Sequence, residues 1–382
     1  MREEAIQFFS NLSIFATTTF IPIIAAFWGA DAFTTAMIIV AYNLSVFASN
    51  YFCGRGADIY GRRAFLLVGL LFSTLTFAVH IFVHDKVSLT VIRILAGISV
   101  GMWGPAILAY VFEAKKKLGK IMGFGGLGWG MGILLTGILA MYWSSQDLYI
   151  RMYFLSTVGF IIASIMAMTL PKLTEVKHKI PLFPIAVIKK SLPAYIAIVI
   201  RHTGATAVWA LLPFYLKTQL GFSVTNISYI YASNAFIQFI VMYYADQVPS
   251  RLSISTGLLI SIGAFFSFPW ATLVWHWALI FITFGGAWSL LYVGATVYVM
   301  ERNVERATST GLLQGSTSLA GITGPLIGGL IASVAPFYYN FYLATILSAI
   351  ALVIFLAMAR PPRLFKGKVR PIEHGPQAYM PP

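Results

Sequence analysis

Charge is what this chain lacks. Of its 382 residues only 10% are Asp, Glu, Lys or Arg, against roughly a quarter in soluble domains, while 59% are hydrophobic. A mean hydropathy of +0.82 leaves too few polar side chains to clothe a water-soluble core of this size. Cysteine is nearly absent: the single Cys53 excludes an intrachain disulfide and a cysteine-based metal cluster. There is no G-x-x-x-x-G-K-[ST] phosphate loop, so nothing points to ATP-driven work. The 6 histidines show no ligand spacing beyond His80 and His84, which lack a third partner. No metal, cofactor or catalytic residue is expected, and the chain does not read as an enzyme. The short alternating segments of a transmembrane barrel are missing as well.

What is present is a series of apolar blocks, each close to the length of a helix that crosses a hydrocarbon layer about 30 Å thick. They run 6–28, 32–54, 64–83, 87–111, 120–143 and 149–170, then 194–216, 224–245, 252–271, 274–299, 308–334 and 338–359. The fold class is therefore an all-α polytopic membrane protein with twelve transmembrane helices. The N-terminal stretch has no small-residue cleavage site and reads as a permanent first span. A net charge of +14 would suggest nucleic acid in a soluble protein, but here it follows the topology. Twenty-one lysines and arginines fall in the termini and one alternate set of loops, three in the other set, and Arg93 and Arg201 within spans. Basic loops stay inside. Both termini are thus expected in the cytoplasm, in a multi-pass protein of the cell (plasma) membrane, with no nucleic-acid partner.

The polar stretch "PKLTEVKHKIPLFPIAVIKKS" (171–191) falls midway and reads as a linker carrying a short amphipathic helix on the membrane surface. It sets the expected organisation: a six-helix bundle over 1–170, a cytoplasmic linker over 171–192, a second bundle over 193–360, and a poorly ordered tail over 361–382. The halves resemble each other in sequence. Asp58 and Asp246 both follow an alanine and lie 188 residues apart, as do Glu113 and Glu301. "LTGIL" (135–139) and "ITGPL" (322–326) repeat at an offset of 187. A duplicated six-helix unit explains all three.

Between the second and third blocks stands "GRGADIYGRR" (54–63). Together with the two six-helix halves and the basic central loop, it resembles the signature G-x-L-A-D-R-x-G-R-R of the major facilitator superfamily. Gly54, Ala57, Asp58, Gly61, Arg62 and Arg63 match in place, while Gly56 and Ile59 depart. The resemblance covers the chain to about residue 360. It implies secondary transport by alternating access, with a gate at the cytoplasmic side. Glycines at 54, 56 and 61 permit a tight turn and close backbone approach. Asp58 can cap the positive N-terminal end of span eleven at Thr308, Ser309 and Thr310. Arg62 or Arg63 can pair with Glu113 at the end of span four.

"RILAGISVG" (93–101) is similar to the family's R-x-x-x-G-x-x-x-G segment; Arg93 is expected to face a cavity and Gly97 and Gly101 to let helices pack closely. The antiporter element G-P-x-x-G-G is absent from span five, "GLGWGMGILLTGILAMY", and "GPLIGG" stands in span eleven instead.

Ionisable groups inside spans are functional candidates by default. Arg201 and His202 lie in span seven, with Trp209 on the histidine's face. Pro213 is expected to break or kink that helix. Tyr42, Asn43, Asn234, Gln238, Trp288 and Tyr292 add polar and aromatic contacts. With Arg93 they are read as the lining of a central substrate cavity. His202, the side chain that titrates nearest neutrality, is the candidate for proton coupling, beside the plainer reading of a structural histidine. No Asp or Glu lies deep in any span: Asp31, Asp85, Asp147, Glu113 and Glu301 all sit at ends or loops. Electrostatics therefore favour an anionic, zwitterionic or neutral small molecule over a lipophilic cation. The expectation is a monomeric secondary transporter in the lipid bilayer, an exporter or proton-coupled antiporter of a small organic solute. An uncoupled facilitator, an importer of the same fold, and a non-transporting sensor or scramblase stay open.

Overall fold

The structure, a computed structural model, describes residues 1–359 apart from 19–20, 22–23, 26–27, 31, 140, 144 and 174–179. The centre of the linker, Asp31 and the tail 361–382 thus lie outside the described residues. The first helices are α1 (Arg2–Thr18), α2 (Ala32–Tyr60), α3 (Arg62–Val79), α4 (Lys86–Glu113), α5 (Leu118–Leu139) and α6 (Ser145–Met168). Beyond the linker follow α7 (Ile185–Trp209), α8 (Leu212–Thr218), α9 (Val224–Ala245), α10 (Ser250–Ser267), α11 (Val274–Arg302), α12 (Arg306–Val334) and α13 (Tyr339–Met358). Nine of the helices among the described residues are long and apolar enough to cross a membrane. α1, α7 and α9 occupy three further expected positions but fall outside that set, so the count of twelve is carried in full for nine.

Apolar side chains face outward, as a bilayer requires. On α13, Ile346, Ile350 and Val353 are exposed along one face, while Ala344, Ser348, Ala351 and Phe355 are buried on the other. The buried face is the more polar and the smaller, which lets backbones approach where lipid provides no hydrophobic drive for helix association.

Three boundaries differ from the sequence expectation, each for a local reason. The signature "GRGADIYGRR" is mostly helix: α2 runs on to Tyr60, and the turn is confined to Gly61, whose φ of 124° suits glycine. Gly54 is instead a contact point, since a Cβ there would lie 2.5 Å from the Ala307 carbonyl oxygen. α7 begins nine residues before the apolar block, taking Lys189 and Lys190 into its first turns. It then stops at Trp209, and the chain restarts at Leu212 with Pro213 in the first turn of α8, the break expected of that proline.

The unassigned glycines of α5 are explained by packing on two sides. A Cβ at Gly128 would lie 2.2 Å from the Phe8 carbonyl and one at Gly132 2.6 Å from that of Leu12, both on α1. On the opposite side, a Cβ at Gly119 would lie 2.2 Å from the Met242 carbonyl and one at Gly130 2.3 Å from the Ala235 Cβ, both on α9. α5 is thereby wedged between a helix that precedes the linker and one that follows it. α2 and α12 meet the same way, a Cβ at Gly311 falling 2.1 Å from the Asn50 carbonyl.

Candidate functional site

The two ends of the helix array differ in charge, and the basic end is closed by two related contacts. Asp58 is buried near the end of α2. Its Oδ2 accepts from the Thr308 backbone N–H at 2.7 Å and the Thr308 hydroxyl at 2.8 Å, and its Oδ1 from the Ala307 N–H at 3.2 Å. These are the first amides of α12, unsatisfied within the helix and at its positive end. Arg62 holds the same carboxylate from its other side, Nε at 3.0 Å and Nη2 at 2.7 Å, and also pairs with Glu113. Glu113 reaches across to Arg306 at 3.2 Å. At the duplicated position, Asp246 Oδ2 accepts from the Gly119 N–H at the start of α5, at 2.9 Å. Among the described residues no guanidinium supports that second contact.

The basic residues around these contacts divide the work. Arg63 does not reach Glu113: it donates to the Met168 and Leu170 carbonyls at 2.9 and 3.0 Å, capping the C-terminal end of α6. Arg55 binds the end of the linker, donating to the carbonyls of Ile180 and Pro181, and the Tyr51 hydroxyl binds that of Leu182.

Beyond these contacts lies a cavity of about 480 Å³ lined from α1, α2, α4, α5, α7, α9, α11 and α12. Tyr42, Asn43, Arg201, His202, Trp209, Asn234, Gln238, Trp288 and Tyr292 all line it. Arg93 does not. Its guanidinium lies 3.8 Å over the ring of Tyr42, so it meets the cavity only through that ring. The cause is packing: Gly97 and Gly101 draw α4 against α2, with Cβ positions 2.7 Å from the Tyr42 carbonyl and 2.6 Å from the Ser49 Cβ.

Arg201 is 1% exposed, in a nest of rings. Its guanidinium carbon is 4.9 Å from the centre of Phe284 and 5.4 Å from those of Phe265 and Trp288. Nε donates to the Ser261 hydroxyl at 3.1 Å, while Nη2 is buried without a hydrogen-bond partner among the described residues. His202 stacks on Trp288 at 4.6 Å, and Trp288 on Tyr292 at 4.8 Å. Trp209 stacks on Phe281 and Phe284 and faces Trp129 across the cavity at 6.3 Å. No carboxylate lines the cavity among the described residues.

Sequence reasoning missed Gln7, Asn11, Asn50, Trp103, Trp129, Gln314, Thr317 and Ser318, which also line it. Their signal was present: each is a polar or amphipathic side chain inside an apolar run, where burial against protein is the alternative to lipid.

Helices that bury their small and polar faces around a central cavity, with a network of buried charges at its basic side, define a multi-pass membrane transporter. The family comparison gives the class its name: the model described as Major Facilitator Superfamily matches residues 5–303 and 194–381, and the chain belongs to that family. It is 21% identical over 350 residues to Multidrug resistance protein 1 of Bacillus subtilis (strain 168), spanning 85% of this chain and 88% of that one. It is 25% identical over 321 residues to Quinolone resistance protein NorA of Staphylococcus aureus (strain MSSA476), spanning 79% and 82%. In fold it is similar to the human organic anion transporter MFSD10 (TETRAN), with a TM-score of 0.73, 13% identity, and coverage of 93% of this chain and 98% of that one. The chain is a transporter, not an enzyme.

Proposed function

We propose that this transporter exports a small organic solute across the plasma membrane by alternating access, and that the solute is an anionic, zwitterionic or neutral aromatic molecule. One observation carries the choice of substrate: Arg201 lines a ring-walled cavity with a buried guanidinium, one N–H of which has no partner, and no carboxylate lines that cavity among the described residues. A buried cation without a counter-ion is stabilised by any ligand that brings one, and rings offer a planar ligand stacking surfaces. A lipophilic cation would meet the same guanidinium as repulsion. Export is supported by the multidrug and quinolone resistance proteins among the relatives.

In this reading the basic end faces the cytoplasm, and helices 1–170 rock against helices 193–360 around the cavity of a monomer. Asp58, Arg62 and Glu113 latch the cytoplasmic side, with Gly54 and Gly61 shaping the contact and Arg63 fixing α6. His202 is assigned the proton-coupling step. The test is thermal stabilisation of the detergent-purified protein by organic anions, neutral sugars and lipophilic cations. A ligand at a hundred times its Kd adds about 2.7 kcal/mol to the native state. Stabilisation by aromatic anions that is lost in Arg201→Gln is the expected result; stabilisation by cations alone overturns the substrate assignment.

A further inference from the structure

An anionic aromatic end held near Arg201 leaves the rest of the cavity wall unexplained, and much of it is built of carboxamides. Gln7 and Asn11 on α1, Asn50 on α2, Gln238 on α9 and Gln314 on α12 line the same cavity. The Ser289 hydroxyl donates to the Gln238 backbone carbonyl, so Gln238 lies at the depth of Trp288, and Gly125 and Gly126 set Gln7, Asn11 and Gln238 side by side. Asn50 and Gln314 complete this floor from α2 and α12.

The floor is kept open by glycine. A Cβ at Gly104 would lie 2.6 Å from Gln314 Oε1, and one at Gly125 would lie 3.1 Å from both Asn11 Nδ2 and Gln7 Oε1. Some of its hydrogen-bonding capacity is used internally. Asn11 Nδ2 donates to Gln7 Oε1 at 2.9 Å, and Gln238 Nε2 to Asn234 Oδ1 at 2.6 Å. The carboxamides of Asn50 and Gln314 make no hydrogen bond among the described residues, though Asn50 is only 3% exposed. Amides placed for packing alone would be paired, as Asn234 and Gln238 are, because a buried unpaired amide is costly. Whichever way each is turned, the set offers both donors and acceptors and no net charge.

We infer that the floor is a second subsite, which takes a neutral hydrogen-bonding arm of the substrate, a carboxamide or hydroxyl group beside its anionic aromatic end. Among the described residues a second anion would find no cation beyond Arg201 lining the cavity, and an ammonium no carboxylate. The inference rests on the reading of this cavity as the transport site, but it does not need the substrate to be an anion.

Three probes of equal length separate the two. One is a naphthoate with a flexible chain ending in a carboxamide, one is the same acid ending in an alkyl group, and one is the methyl ester of the first. Affinities are read from quenching of tryptophan fluorescence, with melting temperature as the control for folding. The expected result is that the carboxamide acid binds about tenfold more tightly than the alkyl acid. Gln314→Leu and Asn50→Leu each remove most of that difference, the alkyl acid binding as well or better because its arm meets an apolar side chain, whereas Arg201→Gln weakens both acids alike. An ester that binds while neither acid does, and loses affinity in Gln314→Leu, upholds the floor and overturns the anionic assignment. Equal affinity of the two acids for the native protein overturns the inference, as does a preference for the carboxamide that survives both leucine variants.

Discussion

Replacing Asp58 by Asn tests the gate with little change of shape. The carboxylate accepts from three donors of α12 and from two N–H groups of Arg62, all in a buried site. An asparagine must turn its NH2 toward one of these donor sets. Breaking a buried ion pair costs about 3–5 kcal/mol, and a carboxylate at a helix N-terminus contributes up to about 2 kcal/mol. Arg62 retains Glu113, which puts the loss near the lower bound, about 3 kcal/mol. If the contacts exist only while the basic end is closed, the open state gains about a hundredfold in relative population. Spin labels at exposed Lys117 and Val304, in a Cys53→Ala background, read the separation across this end by pulsed electron resonance. The expected outcome is a new long-distance population in Asp58→Asn. Thr308→Val, which removes one hydroxyl worth about 1 kcal/mol, should give a shift of only about fivefold. An Asp58→Asn protein that stays folded with the native distance distribution would refute the latch.

Asp246→Asn should open the basic end less than Asp58→Asn, by about 1 kcal/mol, because a single N–H of Gly119 is at stake and no guanidinium is stranded; the same labels measure it. Gly311→Ala forces α12 off α2 at the Asn50 carbonyl and should destabilise the protein by about 1–3 kcal/mol. Gly263→Ala, with nothing within 4 Å of its Cβ, should leave the melting temperature unchanged or raise it slightly. His202→Gln, in proteoliposomes, should abolish flux driven by a pH gradient while downhill exchange of labelled substrate continues; gradient-driven flux that persists removes His202 from coupling.

Composition and block length alone determined that this chain is a bundle of membrane helices, because hydropathy over about 20 residues is a local property and the bilayer imposes one solution on it. The signature 54–63 located the contact of Asp58 with the start of α12 for the same reason: it is dictated by a short motif and one helix end. What sequence could not supply was direction. Arg93 and Arg201 both lie within apolar runs, yet glycine-driven packing of α4 on α2 puts Arg93 behind Tyr42 while Arg201 reaches the cavity. Arg62 and Arg63 are neighbours in sequence, and a turn at Gly61 sends one to Asp58 and Glu113 and the other to the end of α6. The carboxamide floor draws Gln7, Asn50, Gln238 and Gln314 from four helices that are distant in the chain. Which faces of those helices turn inward is decided by close approach at their glycines, a property of pairs of helices that appears only once the bundle is assembled.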